Sequence, residues 1–281
     1  MSRQNGQGLK WLLETIPTGF IVDSNWLRSS GISRQSVSKY IDSGWLERIA
    51  HAVYRRPDQN PRQDSDDCCN WETLVLSLQH VMHYEIHVGG ITALEKHGYS
   101  HYVSIGEEKK AIFLYGQKMP AWLKSIQAGA SFELRKRKLF TDLNLGLDHE
   151  VSSGKVQEFS SPWNWRMTMS GAERSILEAM DELPNGAAFH TVDMIFQSLA
   201  NLRPRLVMKL LLSCTSKKVK RLFFVFADRH GHSWRTYIDE NQVELGSGDR
   251  ALVRGGKLHP KYRIVVPEWL LKSENRETDE P

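Results

Sequence analysis

Apolar residues recur every three or four positions through the first part of the chain and set out a series of short helices. In "GLKWLLETIP" Leu9, Leu12, Leu13 and Ile16 share a face and predict a helix over 8–17. "VDSNWLRSSG" predicts a second helix with Asp23 or Ser24 as its cap, after which Gly31 turns the chain. In the next stretch Ser33 can accept from the unpaired amides of a first turn and Ile32 can pack on Val37. Val37, Tyr40 and Ile41 then repeat at i, i+3 and i+4. Ser43 and Gly44 end that helix, because glycine tolerates the left-handed backbone of a stop. The period then changes to two: "WLERI" and "AVYRR" predict a pair of strands around a turn at Ala50 and His51.

The polar run from Pro57 to Asp67, with two prolines and almost nothing to bury, reads as a linker. It sets off an N-terminal module, 1–60, from a larger region, 70–270, with 61–69 as the connection, a further boundary near 155–168 and an acidic tail over 271–281. Within the larger region, Trp71, Leu74, Val75, Leu78 and Met82 predict a helix in 70–86, and 89–99 a second. "KKAIFLYG" and "SFELRKRKLF" read as strands. Ser170 and Glu173 have capping-box spacing ahead of "SILEAMDELP", and helices are expected at 191–199 and 205–214. "SWRTYID", "RALVRGG" and "KYRIVVP" alternate like strands. The fold class is α+β: a winged helix-turn-helix followed by a larger mixed domain.

The 281 residues, 40% hydrophobic and 25% charged, have the composition of a soluble globular protein. No run reaches the roughly 18 apolar residues of a membrane span, and the start "MSRQNGQGLKW" lacks a secretion core, so a cytosolic protein is expected. Cys68, Cys69 and Cys214 make neither a disulfide framework nor a zinc pattern. The net charge of +4 is mild, but it is unevenly placed. Arg203, Arg205, Lys209, Lys217, Lys218, Lys220 and Arg221 come without an intervening acid, which suggests an anion-binding surface. A second cluster, "RKRK", spans 135–138.

The stretch over 31–56 carries the most specific chemistry. Two short helices joined at a glycine, the second opening on Ser33, Arg34, Gln35 and Ser36, match a helix that enters the DNA major groove. Arg34 suits guanine edges and Gln35 adenine edges; Ser36, Ser38 and Lys39 face outward towards phosphates. Arg48, Arg55 and Arg56 make the following hairpin a basic wing. His80, His83 and His87 have a spacing that could aim at a metal, but no acid or cysteine completes a motif. "DRHGHSW" has no nucleophile beside it, and "LGSGDRALVRGG" is not a phosphate-binding loop. No cofactor, metal or catalytic residue is expected.

Taken together, "SRQSVSKYIDSGWLERIAHAVYRRP", "HVGGITALEKHGYSHY", "SGAERSILEAMDELP", "LRPRLVMKLLLSCTSKKVKRLFFVFADRHGHSW" and "LGSGDRALVRGGKLHPKYRIVVP" resemble the AbiEi family, the antitoxins of bacterial type IV toxin–antitoxin (abortive infection) systems. The resemblance implies a non-enzymatic autorepressor whose winged helix binds inverted repeats at its own promoter. It also implies a functional partner, a nucleotidyltransferase-like toxin counteracted by the C-terminal domain without a stable complex. A ligand-responsive transcription factor without a toxin is the other function class these features admit.

Overall fold

The computed structural model describes residues 5–57, 70–99, 110–126, 128–148, 165–185 and 187–271. The chain forms two compact units, and neither is one continuous stretch. The first takes Met1–Val88, Ser104–Lys136 and His149–Thr168; the second takes Gly89–Val103, Arg137–Asp148 and Met169–Pro281. Among the described residues no helix is long and apolar enough to cross a membrane.

The first unit opens with α1 (Asn5–Thr15), β1 (Ile21–Asp23), α2 (Ser24–Ser29), α3 (Arg34–Asp42), β2 (Glu47–Ala50) and β3 (Val53–Arg55). β3 lies between β1 and β2 and is antiparallel to both. Leu12 and Ile16 from α1, Leu27 from α2, Val37 and Tyr40 from α3, and Leu46 and Val53 are buried. This is a winged helix-turn-helix. Gly31 (φ 83°) and Gly44 (φ 74°) take left-handed conformations at the two turns. The wing turns at His51 and Ala52, one residue later than the alternation indicated.

The same unit holds α4 (Trp71–Leu76), which runs on as a π-helical turn over Ser77–Val81, then β4 (Ile86–Val88), β5 (Lys110–Gly116) and β6 (Ala130–Arg135). β5 pairs antiparallel with β4 and parallel with β6. Two buried polar groups tie this part to the winged helix. Ser77 Oγ accepts from Ile21 N at 3.0 Å and donates to Thr73 O at 2.7 Å. Asp23 is 2% exposed. Its Oδ1 caps α2 by accepting from Trp26 N at 2.8 Å, and its Oδ2 accepts from Trp122 Nε1 at 3.1 Å and Tyr84 Oη at 3.3 Å. Burial, together with the Asp23 carboxylate, pushes the Tyr84 phenol up to about 12. The compact unit therefore runs past the expected boundary at residue 60. The expected linker, 61–69, and the tail after 271 lie outside the described residues, as do Cys68 and Cys69.

The second unit contains α5 (Gly90–Lys96), the antiparallel pair β7 (Leu147–Asp148) and β8 (Met169–Ser170), α6 (Ala172–Asp181), α7 (Phe189–Ser198), α8 (Pro204–Ser213) and α9 (Lys217–His230). It also holds a small sheet, β9 (Arg250–Ala251), β10 (Lys257–Leu258) and β11 (Ile264–Val266), with β11 in the middle. α6 is buried from Glu173 to Met180, charged residues included. Arg174 Nε donates to Glu178 Oε1 at 2.8 Å and its Nη1 to Leu143 O and Leu145 O at 2.9 and 2.8 Å. Glu178 Oε2 accepts from Ser170 Oγ at 2.8 Å and Gly90 N at 3.0 Å. That network sets the capping box aside: Gly171, not Ser170, is the cap residue, and Glu173 turns to Arg203. α9 is a further helix, beyond those expected at 191–199 and 205–214; Ser216 caps it, and Gly231 ends it in the left-handed conformation. "SWRTYID" forms a 3-10 turn over Ser233–Tyr237, because Trp234 is drawn inward to donate to Leu199 O at 2.7 Å.

Replacing Asp23 with Ala strands three half-buried donors and should lower stability by about 2–4 kcal/mol, with Asn recovering part of the loss. Urea unfolding checks this, and an unchanged midpoint contradicts it. Glu178→Ala should cost about 3–5 kcal/mol because it leaves Arg174 buried and uncompensated, whereas the paired change Arg174→Met with Glu178→Leu should cost less than Glu178→Ala alone. Equal losses would mean that the ion pair is not what the single substitution breaks.

Candidate nucleic-acid interface

α3 is built to show one face. Ser33 Oγ accepts from Ser36 N at 3.1 Å and lies 3.0 Å from Ser36 Oγ, so both hydroxyls serve the helix cap rather than standing free. Val37 and Tyr40 are buried, Ile41 is half-buried, and Arg34, Gln35, Ser38 and Lys39 are exposed. The exposed four lie on the side opposite the core, at the N-terminal end and middle of the helix. Four polar side chains of this kind on the second helix of a helix-turn-helix can meet base edges and phosphates together.

The wing divides its basic residues. Arg48 is exposed and lies over the Tyr54 ring, 5.8 Å from the centroid. Arg55 pairs across the hairpin with Glu47, Nη2 to Oε2 at 2.7 Å and Nε to the same oxygen at 3.3 Å. Arg56 Nη1 donates to Leu13 O and Ile16 O at 2.5 and 2.6 Å, closing the end of α1, and burial lowers its pKa. Arg55 and Arg56, expected on the DNA side, thus have partners within the protein. Two residues at this surface were not singled out in the sequence. Trp45, 42% exposed, stands between α3 and the wing, and Glu47 neutralises a wing arginine. Only the cross-strand register of Glu47 with Arg55 identifies the second, and a sequence does not print it.

In the second unit the basic run also turns inward. Arg221 is 3% exposed and donates to Leu245 O, Gly246 O, Gly248 O and Arg263 O at 2.7–3.0 Å, gathering the loop that follows. Lys220 is buried, and its pKa is lowered by burial and then by neighbouring Lys217. Lys218 Nζ donates to Asp181 O and Leu183 O, and Lys217 pairs with Glu244 at 2.5 Å. Arg203 forks onto Glu173, whose carboxyl, raised by burial, is brought below its usual range by those bonds. The seven residues do not share one outward face, because Arg203, Lys217, Lys218 and Arg221 bond to groups of the protein itself and Lys220 is buried. Arg205 and Lys209 remain exposed, one turn apart on α8, with Leu212 exposed a turn further on.

The histidine-rich segments are also taken up by the fold. His80 lies 2.8 Å from Arg166 O and stacks on Trp165, while His87 is buried against Tyr115. In "DRHGHSW", Arg229 and His230 both meet Asp193, at 3.1 and 2.7 Å, and His232 meets Phe196 O. Among the described residues no three His, Cys, Asp or Glu converge as metal ligands.

A family model described as "Transcriptional regulator, AbiEi antitoxin N-terminal domain" matches residues 5–105, and one described as "Transcriptional regulator, AbiEi antitoxin, Type IV TA system" matches 109–267. Among solved structures, the crystal structure of the RV2827C protein from Mycobacterium tuberculosis superposes with a TM-score of 0.52 at 12% identity, covering 94% of this chain and 92% of that one; at this identity the likeness concerns the fold. The comparison with curated proteins finds no match. Matched by two models that between them span nearly its whole length, the chain belongs to the AbiEi family of antitoxin transcriptional regulators of type IV toxin–antitoxin systems.

Proposed function

We propose that the chain is the autorepressor and antitoxin of its own operon, acting in the cytosol and without catalysis. In this reading α3 enters the major groove of inverted repeats near the promoter, Arg34 reading guanine and Gln35 adenine, while Ser38, Lys39 and Arg48 hold phosphates. The observation that carries it is the exposed row Arg34, Gln35, Ser38 and Lys39 on a helix whose opposite face is buried. The second unit counteracts a nucleotidyltransferase-like toxin without a stable complex. The exposed cations of α8, Arg205 and Lys209 beside Leu212, support that role better than the paired lysines of α9 do.

Titration of the chain against its own upstream DNA tests the first part. Arg34→Ala should weaken binding by about 1–3 kcal/mol and relax sequence preference, and Lys39→Ala should lower the slope of log affinity against log salt by about one. Binding unaffected by both changes would remove α3 from the interface. For the second part, reversing Arg205 and Lys209 to Glu should abolish protection from the toxin while operator affinity and melting temperature stay as in the parent. Full protection, or loss of operator binding as well, would overturn that division of labour.

A further inference from the structure

The second unit has an open cleft of about 250 Å³ floored by Gly171 at the start of α6 and walled by His97, Tyr99, Asp148, Asn201 and Arg203. None of these residues belongs to the DNA face. On one wall, Arg203 donates from its backbone N, Nε and Nη2 to Glu173 at 2.8, 2.9 and 2.9 Å. Glu173 is 3% exposed, yet the Arg203 side chain is 64% exposed. The buried acid thus holds the guanidinium in one orientation and leaves its outer N–H groups open to the cleft, so little order is lost when a ligand meets them. On the other wall Asp148, 44% exposed, lies 3.3 Å from His97 Nε2, and that nitrogen is itself 2.9 Å from Ser170 O.

Gly171 separates the two walls. Its backbone (φ −66°, ψ 166°) is open to any residue, so conformation does not call for glycine. Space does: a Cβ there would stand 3.1 Å from Asp148 Oδ1, 3.3 Å from Gly146 O and 3.5 Å from Arg203 Nη2. A fixed cation and an anion thus converge on the volume a side chain would fill. Glu173 pairs with Arg203, and Asp148 keeps a carboxylate 44% exposed beside His97, so the two walls offer groups of opposite sign. A phosphate would face Asp148 and a simple amine would face Arg203, whereas a molecule with opposite charges on neighbouring atoms satisfies both.

We propose that this cleft binds a free α-amino acid, its carboxylate on the outer edge of Arg203 and its ammonium on Asp148. Tyr99 and Asn201 flank the ligand side chain and set its selectivity. The site is a feature of the second unit, and its occupancy does not require DNA. Calorimetric titration of the full chain with each of the twenty standard amino acids tests it. At least one should bind with a Kd at or below about 1 mM, and its N-acetyl and methyl-ester forms should bind at least about tenfold more weakly. Asp148→Asn and Gly171→Ala should each weaken binding by about tenfold or more, the first being an exposed position that leaves folding intact. Inorganic phosphate alone should give no signal. No binding by any amino acid up to about 10 mM would overturn the proposal; so would a blocked form that binds like its parent, binding unchanged in both variants, or a phosphate signal.

Discussion

The buried carboxylate of Asp23 is the constraint on which the geometry of the first unit rests. A carboxylate at 2% exposure is tolerable only where donors replace water, and three arrive from different parts of the chain: the first turn of α2, Tyr84 beyond α4, and Trp122 between β5 and β6. Asp23 ends β1 and starts α2 at once, so fixing its side chain fixes the first helix of the helix-turn-helix. Gly31 then carries that orientation into α3, where the Ser33 cap sets the first turn. The polar groups that present Arg34, Gln35, Ser38 and Lys39 to solvent are thus traceable to one buried acid and one exposed cap.

The same rule, that buried polar groups must be satisfied, decides what the arginines do. Arg56 closes α1, Arg174 joins α6 to the carbonyls of Leu143 and Leu145, and Arg221 gathers the loop over 245–248. A planar guanidinium with five donors can hold several carbonyls at once, which a lysine cannot do in one plane. Part of the positive charge that composition assigns to a nucleic-acid partner therefore goes into internal joints. Of the cations expected at a nucleic-acid or anion surface, Arg34, Lys39, Arg48, Arg203, Arg205 and Lys209 keep exposed side chains.

Local chemistry made much of the winged helix legible. Caps at Asp23 and Ser33, left-handed glycines at 31 and 44 and the change of period at the wing are all decided within a few residues. The expected boundary at residue 60 concerned a different kind of fact, since Asp23 meets Trp122 across 99 residues of sequence. The capping box at Ser170 and Glu173 had the right spacing, but Glu178 and Arg203 competed for the same side chains and prevailed. α9 was hidden because a helix buried on most of its surface loses its polar stripe: Val219 to Ala227 are all buried, Lys220 and Arg221 among them. At the candidate site, the outward set on α3 followed from helical periodicity. The pairing of Arg55 with Glu47 and the turn of Arg56 towards α1 needed the strand register and the helix end in space.

The central claim, that α3 reads bases in the major groove through Arg34, is tested most directly by methylation interference on the promoter of the chain's own operon. Methylation at guanine N7 should block the parent protein at a guanine in each half of the inverted repeat, and the same methylation should be harmless to Arg34→Ala, which no longer approaches that atom. An interference pattern identical in the two proteins would contradict the account.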